Sequence, residues 1–174
     1  MPTKVEGAVS AGGFTKIVSA GFTRPANTTQ YTANDVVSNG TTSLLVFKDC
    51  ARKLGGSGMI LSALMFDSVD AATNPSFDLV LFDSAGLTLA ADNAAGTITD
   101  TELLGCVAVI TLDGTVAANV STVGPNLIVG ATSIYQRFKC ADNSRDLYGV
   151  VVDRGGYTPA SAETFSFKIA IAQD

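Results

Sequence analysis

Between Phe165 and Ile171 the sequence runs Phe-Ser-Phe-Lys-Ile-Ala-Ile, apolar at every second position. A period of two places Phe165, Phe167, Ile169 and Ile171 on one face of an extended segment, with Ser166, Lys168 and Ala170 on the other. This alternation constrains the chain more than any other feature, because shorter runs repeat it along the sequence with Gly, Asn and Asp between them. The spacing predicts strands at Leu44–Phe47, Met59–Phe66, Phe77–Phe82, Val107–Leu112, Ile134–Cys140 and Leu147–Val152. Three of these, at 44–47, 59–66 and 77–82, are apolar on both faces over much of their length. They read as strands covered on both sides, or with a second face that meets another subunit. Leu79/Leu81 and Phe165/Phe167 belong to the core. Helix is scarce. One turn is expected at Asp100–Leu104, with Thr99 and Glu102 spaced as a capping box and Gly105 as its stop. Eight to ten short strands with this little helix define an all-β fold, a single-domain β-sandwich or jelly-roll-like unit.

Two connections carry turn chemistry. Asp113-Gly114 is a two-residue hairpin signal, predicting that the strand at 107–112 returns through Thr115–Val120. Gly55-Gly56-Ser57-Gly58 predicts a hairpin turn between strands at 44–53 and 58–67. A phosphate loop is the weaker reading there, because Lys53–Gly58 lacks the Gly-Lys-Ser/Thr ending and no long helix follows. Residues 1–21, rich in Gly and Ala, have one apolar cluster at Ile17-Val18. They read as an N-terminal extended arm, a leader or a segment that orders against a neighbour, with residues 22–174 forming the sandwich domain.

The 174 residues suffice for one core without a disulfide or metal staple. Charged residues make up only 16% of the chain, against about 25% in average proteins. So few charges leave a surface of small polar side chains, or one covered by a partner. The net charge of −5 and the scattered basic residues argue against nucleic acid and anionic membranes as partners. Cys50, Cys106 and Cys140 have no metal-binding spacing and read as reduced, mostly buried thiols. No secretion signal opens the sequence, and its apolar runs are too short to span a bilayer as a helix.

With no histidine, the commonest general base and the usual Ser and Cys triads are missing. Carboxylates remain the only catalytic option. Asp67 and Asp70, followed by Asp78, Asp83 and Asp92, would have to converge for glycoside hydrolysis or calcium binding. Acids at strand ends and turns more often solubilise and shape those turns. The expectation is no catalytic residue, no metal and no cofactor.

Three segments then carry a resemblance. The first runs Phe22-Thr-Arg-Pro-Ala-Asn-Thr-Thr-Gln-Tyr-Thr-Ala-Asn-Asp-Val-Val37. Here Pro25 fixes an extended Arg24, and Asn34-Asp35 turns the chain into a strand at Val36-Val37. The second is Ala90-Ala-Asp-Asn-Ala-Ala95, followed by Thr101-Glu-Leu-Leu-Gly105. The third joins Leu147–Val151 to Tyr157-Thr-Pro-Ala-Ser-Ala-Glu-Thr-Phe165. In order and spacing they resemble a set of structural proteins of tailed-bacteriophage virions that act as capsid cement or decoration proteins, over about residues 20–172.

The resemblance implies a β-sandwich subunit, made in the host bacterial cytoplasm and forming a homotrimer. Its partner would be the major capsid protein, bound on the outer capsid surface between capsomers, with no small-molecule substrate. On that reading Phe14, Phe22, Arg24, Pro25, Tyr31 and Tyr157 are the candidate partner contacts. Thr32-Ala33-Asn34-Asp35 departs from the family pattern, where Gly usually precedes the Asp, and Asn tolerates the same left-handed backbone. The alternative is a tail or head-fibre module binding host glycans through Tyr31, Tyr135, Tyr148 or Tyr157.

Overall fold

A computed structural model of the chain describes residues 14–40, 44–69, 74–119 and 127–174. In chain order the elements are β1 (Phe14–Thr23), β2 (Val36–Val37), β3 (Leu45–Phe47), β4 (Ser57–Asp67), β5 (Phe77–Phe82) and α1 (Asp100–Leu103). They continue with β6 (Cys106–Leu112), a 3-10 turn at Gly114–Val116, β7 (Ala118–Asn119), β8 (Leu127–Ala131), β9 (Gln136–Lys139), β10 (Leu147–Asp153) and β11 (Thr164–Gln173).

The strands form two antiparallel sheets. One is ordered β1-β11-β4-β8-β7, with β9 also on β4; the other is ordered β2-β10-β5-β6, with β3 also on β10. The pairing is nested. β5 pairs β6, then β4 pairs β8 and β9, β2 and β3 pair β10, and β1 pairs β11. Successive pairs fall in alternate sheets, which is the jelly-roll arrangement of a long folded-back ribbon.

Each segment expected as a strand, at 44–47, 59–66, 77–82, 107–112, 134–140, 147–152 and 165–171, holds a strand of the fold, while β1 and β8 lie where the sequence pattern predicts none and the one at 134–140 shortens to β9. Phe165, Phe167, Ile169 and Ile171 are fully buried, while Lys168 opposite them is exposed. Phe47, Phe77, Leu79, Leu81, Ile60 and Met65 meet them between the sheets. Phe77 packs edge-on against Phe165 at 5.1 Å and against Tyr157 at 6.0 Å. A second apolar cluster lies outside the five-stranded sheet. There Leu87, Leu89, Ala90, Ala94 and Ile98 roof Val80, Phe82, Val150 and Val152. This roof explains why β5 is apolar on both faces. The α1 capping box forms as expected, with Thr99 accepting from the Glu102 N–H and the Glu102 carboxylate accepting from the Thr99 N–H at 2.7 Å. Asn34 takes the left-handed backbone, φ 78°.

Three local expectations are corrected. The chain does not turn back at Asp113-Gly114. It makes a 3-10 turn capped by Asp113, and β7 joins the other sheet by pairing β8. Glycine is required at 114 because the backbone lies against Pro75, where a Cβ would collide with the carbonyl, and not because a hairpin needs positive φ. Residue 120, the expected end of that return strand, lies outside the described residues. Nor is Gly55–Gly58 a hairpin turn. β3 pairs β10 and β4 pairs β11, so this loop carries the chain from one sheet to the other. The boundary expected between residues 21 and 22 falls inside β1, whose register with β11 is unbroken from Phe14↔Gln173 to Thr23↔Thr164. Val18 faces Ile169 and is buried, which anchors residues that composition alone assigns to an arm. Residues 1–13 of that arm lie outside the described residues.

Phe165→Ala should therefore cost about 3–5 kcal/mol of stability. Val116→Ala on the exposed turn should change it by less than about 0.5 kcal/mol. Chemical denaturation of both variants checks the pair.

Candidate functional site

Pro25 follows the last residues of β1 and directs Arg24 under the end of the sandwich. The Arg24 N–H donates to the Glu163 carbonyl at 2.8 Å, continuing the β1–β11 ladder by one bond. Its side chain is fully buried, as is nearly all of the Asp92 carboxylate. Arg24 Nη2 donates to Asp92 Oδ2 at 3.1 Å, Nε donates to the Tyr31 hydroxyl, and Nη1 reaches the carbonyls of Ala160 and Asn27 at 3.4 and 3.5 Å. The guanidinium also lies 4.7 Å from the centre of the Tyr31 ring. Asp92 Oδ1 accepts from the Tyr31 hydroxyl at 2.6 Å and from the Ser38 N–H at 2.9 Å. Both charges have hydrogen-bond partners in place of water, the condition under which a buried ion pair is tolerated.

A second carboxylate closes the same end. Glu163 accepts from the Tyr157 hydroxyl at 2.5 Å and from the Ala160 N–H at 3.0 Å. The Tyr31 N–H donates to the Tyr157 carbonyl at 2.9 Å, joining the two clusters. Burial, reinforced by the neighbouring carboxylate, pushes both phenols well above their ordinary pKa, so each remains a proton donor. Backbone bonds from Val36 to Ala94 and from Asn93 to Val36, both 2.9 Å, tie β2 to the roof. Parts of the segments that carry the resemblance thus meet in one place, Arg24 and Tyr31 from the first, Asp92 from the second and Tyr157–Glu163 from the third, whereas Thr101–Gly105 bonds Asp83 and Thr88.

This convergence corrects the expected contacts. Arg24, Tyr31 and Tyr157 are 2%, 1% and 2% exposed and are held by internal partners, so they offer nothing to another protein. Phe22 is half-buried over Phe165 and Phe167, and Pro25 is half-buried beside Gly40. Of the six, Phe14 alone is on the surface, 57% exposed beneath the Arg52 guanidinium. The sequence reading missed Asp92 and Glu163 as the buried acceptors. Both stand in the quoted segments, but their partners are 68 and 6 residues away, and nothing local names them. It also missed the exposed apolar residues Ile17, Leu64, Leu103, Leu104 and Val109.

The chemical alternatives fare as follows. Asp67 is buried, Asp78 is bonded by Arg154 and Thr111, and Asp92 is bonded by Arg24, while Asp70 lies outside the described residues. The loop at 53–58 uses its amides internally. The Gly55 N–H bonds Ser144 and the Gly56 N–H bonds Lys53, so no nest of free N–H groups is presented to an anion. Burial pushes the Cys50 thiol up to about 12 and the Cys140 thiol up to about 11, and raises Cys106 as well. All three are free thiols held in the protonated, unreactive form. A solvent-open polar groove of about 490 Å³ lies between Lys48, Asp49, Leu54, Arg145, Asp146 and Tyr148, where Arg145 is paired to Asp49 at 2.7 Å.

Arg24→Met and Asp92→Asn should each cost about 3–5 kcal/mol, because each strands a buried charge. The double variant should cost less than their sum by at least about 1 kcal/mol in a denaturation cycle. At pH 8, iodoacetamide should leave Cys50 and Cys140 unmodified in the folded chain and alkylate both once it is unfolded, read by mass spectrometry. No family model matches the chain, and no curated protein matches it.

Proposed function

We propose that this chain is a non-enzymatic structural protein of a tailed-bacteriophage virion, a cement or decoration protein that reinforces the head from outside. The observation that carries the reading is the convergence at the Arg24–Asp92 pair. Parts of the three separated segments on which the resemblance rests interlock there, whereas Thr101–Gly105 bonds Asp83 and Thr88. The jelly-roll pairing agrees with this reading without proving it, since one fold hosts many functions.

The mechanism is binding energy. The partner is the major capsid protein, and the working form is a homotrimer on the outer surface between capsomers. A shell under internal pressure fails where neighbouring subunits separate. A ligand that binds only the closed arrangement stabilises it by mass action, by about 2.7 kcal/mol at a hundredfold excess over Kd. Contact with several subunits at once adds avidity of about a hundredfold or more without any new chemistry. Surface side chains supply the contacts, Phe14 among them, and the buried Arg24 network keeps the surrounding loops in one shape.

Purified protein mixed with expanded, DNA-free heads that lack it should sediment with them saturably and raise the temperature at which they break. Failure to bind, or a virion proteome without this chain, overturns the reading. Phe14→Asp should weaken head binding, whereas Arg24→Met should act only through folding stability.

A further inference from the structure

A pocket of about 180 Å³ opens where β10 ends, between Asn74, Ser76, Thr115, Asp153, Gly155 and Tyr157. Three short connections build it. The residues before β5 bring Asn74 and Ser76, the 3-10 turn after β6 brings Thr115, and the turn that follows Asp153 brings Gly155 and Tyr157. Asn74 Nδ2 donates to the Gly114 carbonyl at 3.1 Å and the Gly114 N–H donates to Ser76 Oγ at 3.0 Å, which fastens the first two together. The Arg154 N–H donates to the Ser76 carbonyl at 3.0 Å and ties in the third. Asn74, Thr115 and Gly155 are exposed, while Asp153 and Tyr157 are buried.

Asp153 is the unusual member. It is fully buried, and its Oδ2 accepts from the N–H of the left-handed Gly156 at 2.6 Å. No donor reaches its Oδ1 in hydrogen-bonding geometry. A buried carboxylate oxygen without a donor is costly to the fold and calls for a partner. Burial already pushes this carboxyl above its ordinary range, and the Asp35 carboxylate adds to the push. The lining offers no cation in answer. Arg154, next in the chain, is engaged by Asp78 Oδ2 at 2.7 Å, and Tyr157 gives its hydroxyl to Glu163. Beside the pocket, Asp113 accepts from the Thr115 N–H at 2.9 Å. The site is negative and rich in acceptors.

We propose that this pocket binds a primary ammonium group carried on a short alkyl chain. One positive charge answers the one buried carboxylate. The three N–H donors of an ammonium match Asp153 Oδ1, the Asn74 side-chain oxygen and the Thr115 hydroxyl. Asn74 presents that oxygen because its amide nitrogen is turned to Gly114. A calcium ion fits less well, since it asks for about six to eight oxygens. No group of three or more His, Cys, Asp or Glu that could hold a metal occurs among the described residues. Size agrees with an organic ligand. A cavity of about 150 Å³ holds benzene, so this one admits roughly five or six heavy atoms. A free diamine and the tip of a lysine side chain on another protein share the required chemistry. Such binding belongs to the isolated chain and stands or falls apart from the shell reading.

Titration of the isotope-labelled full chain, read by amide NMR shifts, tests it with cadaverine and with a lysine blocked at both backbone ends. At least one of the two should give saturable shifts at Thr115, Gly155 and Gly156, with a Kd on the order of 1 mM. Binding of the blocked lysine points to a protein side chain as the source, and binding of cadaverine alone points to a free amine. The neutral analogue n-pentanol should bind at least about tenfold more weakly. Asp153→Asn, which keeps an oxygen for the Gly156 N–H, should weaken binding about tenfold, and Thr115→Val on the exposed turn about threefold. If Asp153→Asn fails to fold, Thr115→Val and n-pentanol still decide. No saturable shift with either ammonium leaves water as the partner of Asp153 Oδ1 and overturns the proposal. Equal binding of n-pentanol, full affinity in the folded variants, or the same shifts with calcium chloride in place of the amines also overturns it.

Discussion

A guanidinium and a carboxylate removed from water are stable only when every surrounding donor and acceptor is in place at once. Each charge loses several kcal/mol of hydration, and their attraction restores this only in good geometry. Arg24 and Asp92 impose that demand on the whole end of the sandwich. Arg24 is held by the β1–β11 ladder and by the turn at 157–163, and Asp92 is held by Tyr31 and the Ser38 N–H. Asp92 also belongs to the segment that roofs the five-stranded sheet. The pair therefore does more than close a loop, since it fixes the position of Leu89, Ala90 and Ala94 over Val150 and Val152. The covered outer face of the five-stranded sheet follows from that anchor.

The parts of this architecture legible in the sequence are those set by neighbours in the chain. Alternation in Phe165–Ile171, the box at Thr99–Glu102 and the left-handed Asn34 depend on residues within a few positions, and each is found as read. Pairing is another matter. In this nested ribbon the partner of Phe14 is Gln173 and the partner of Phe47 is Leu147. No local pattern carries that information, so Asp113-Gly114 and Gly55–Gly58 read as hairpins when both are crossings between sheets. The same limit turned Arg24, Tyr31 and Tyr157 into surface candidates. An arginine beside a proline in a polar stretch looks exposed unless Asp92 and Glu163 are known to lie beside it.

Nested pairing has a kinetic consequence as well. Ladders joining the ends of the chain cannot form until much of the loop between them is closed, and contacts of that range slow folding. β1 and β11 therefore belong to the late stages. Until β11 arrives, β1 is an isolated extended segment with Phe14, Ile17 and Phe22 unprotected. Its protection against mispairing is thin, with Lys16 as its single charge and no proline inside it.

Burial of the recognisable residues separates two kinds of information in the chain. Arg24, Tyr31 and Asp92 form one buried cluster and Tyr157 and Glu163 another, and the backbone bonds between them make the two specify the end loops together. Ile17, Asp100 and Leu104 stand on the surface, where the fold constrains them weakly, while Lys168 lies 4.8 Å from the centre of the Phe66 ring. An exposed pair of leucines beside two carboxylates adds little to the stability of the subunit, and Ile17 on the edge strand of the six-stranded sheet adds little either. The interlocked interior fixes the shape of the end loops, and a substitution on the exterior leaves that shape in place.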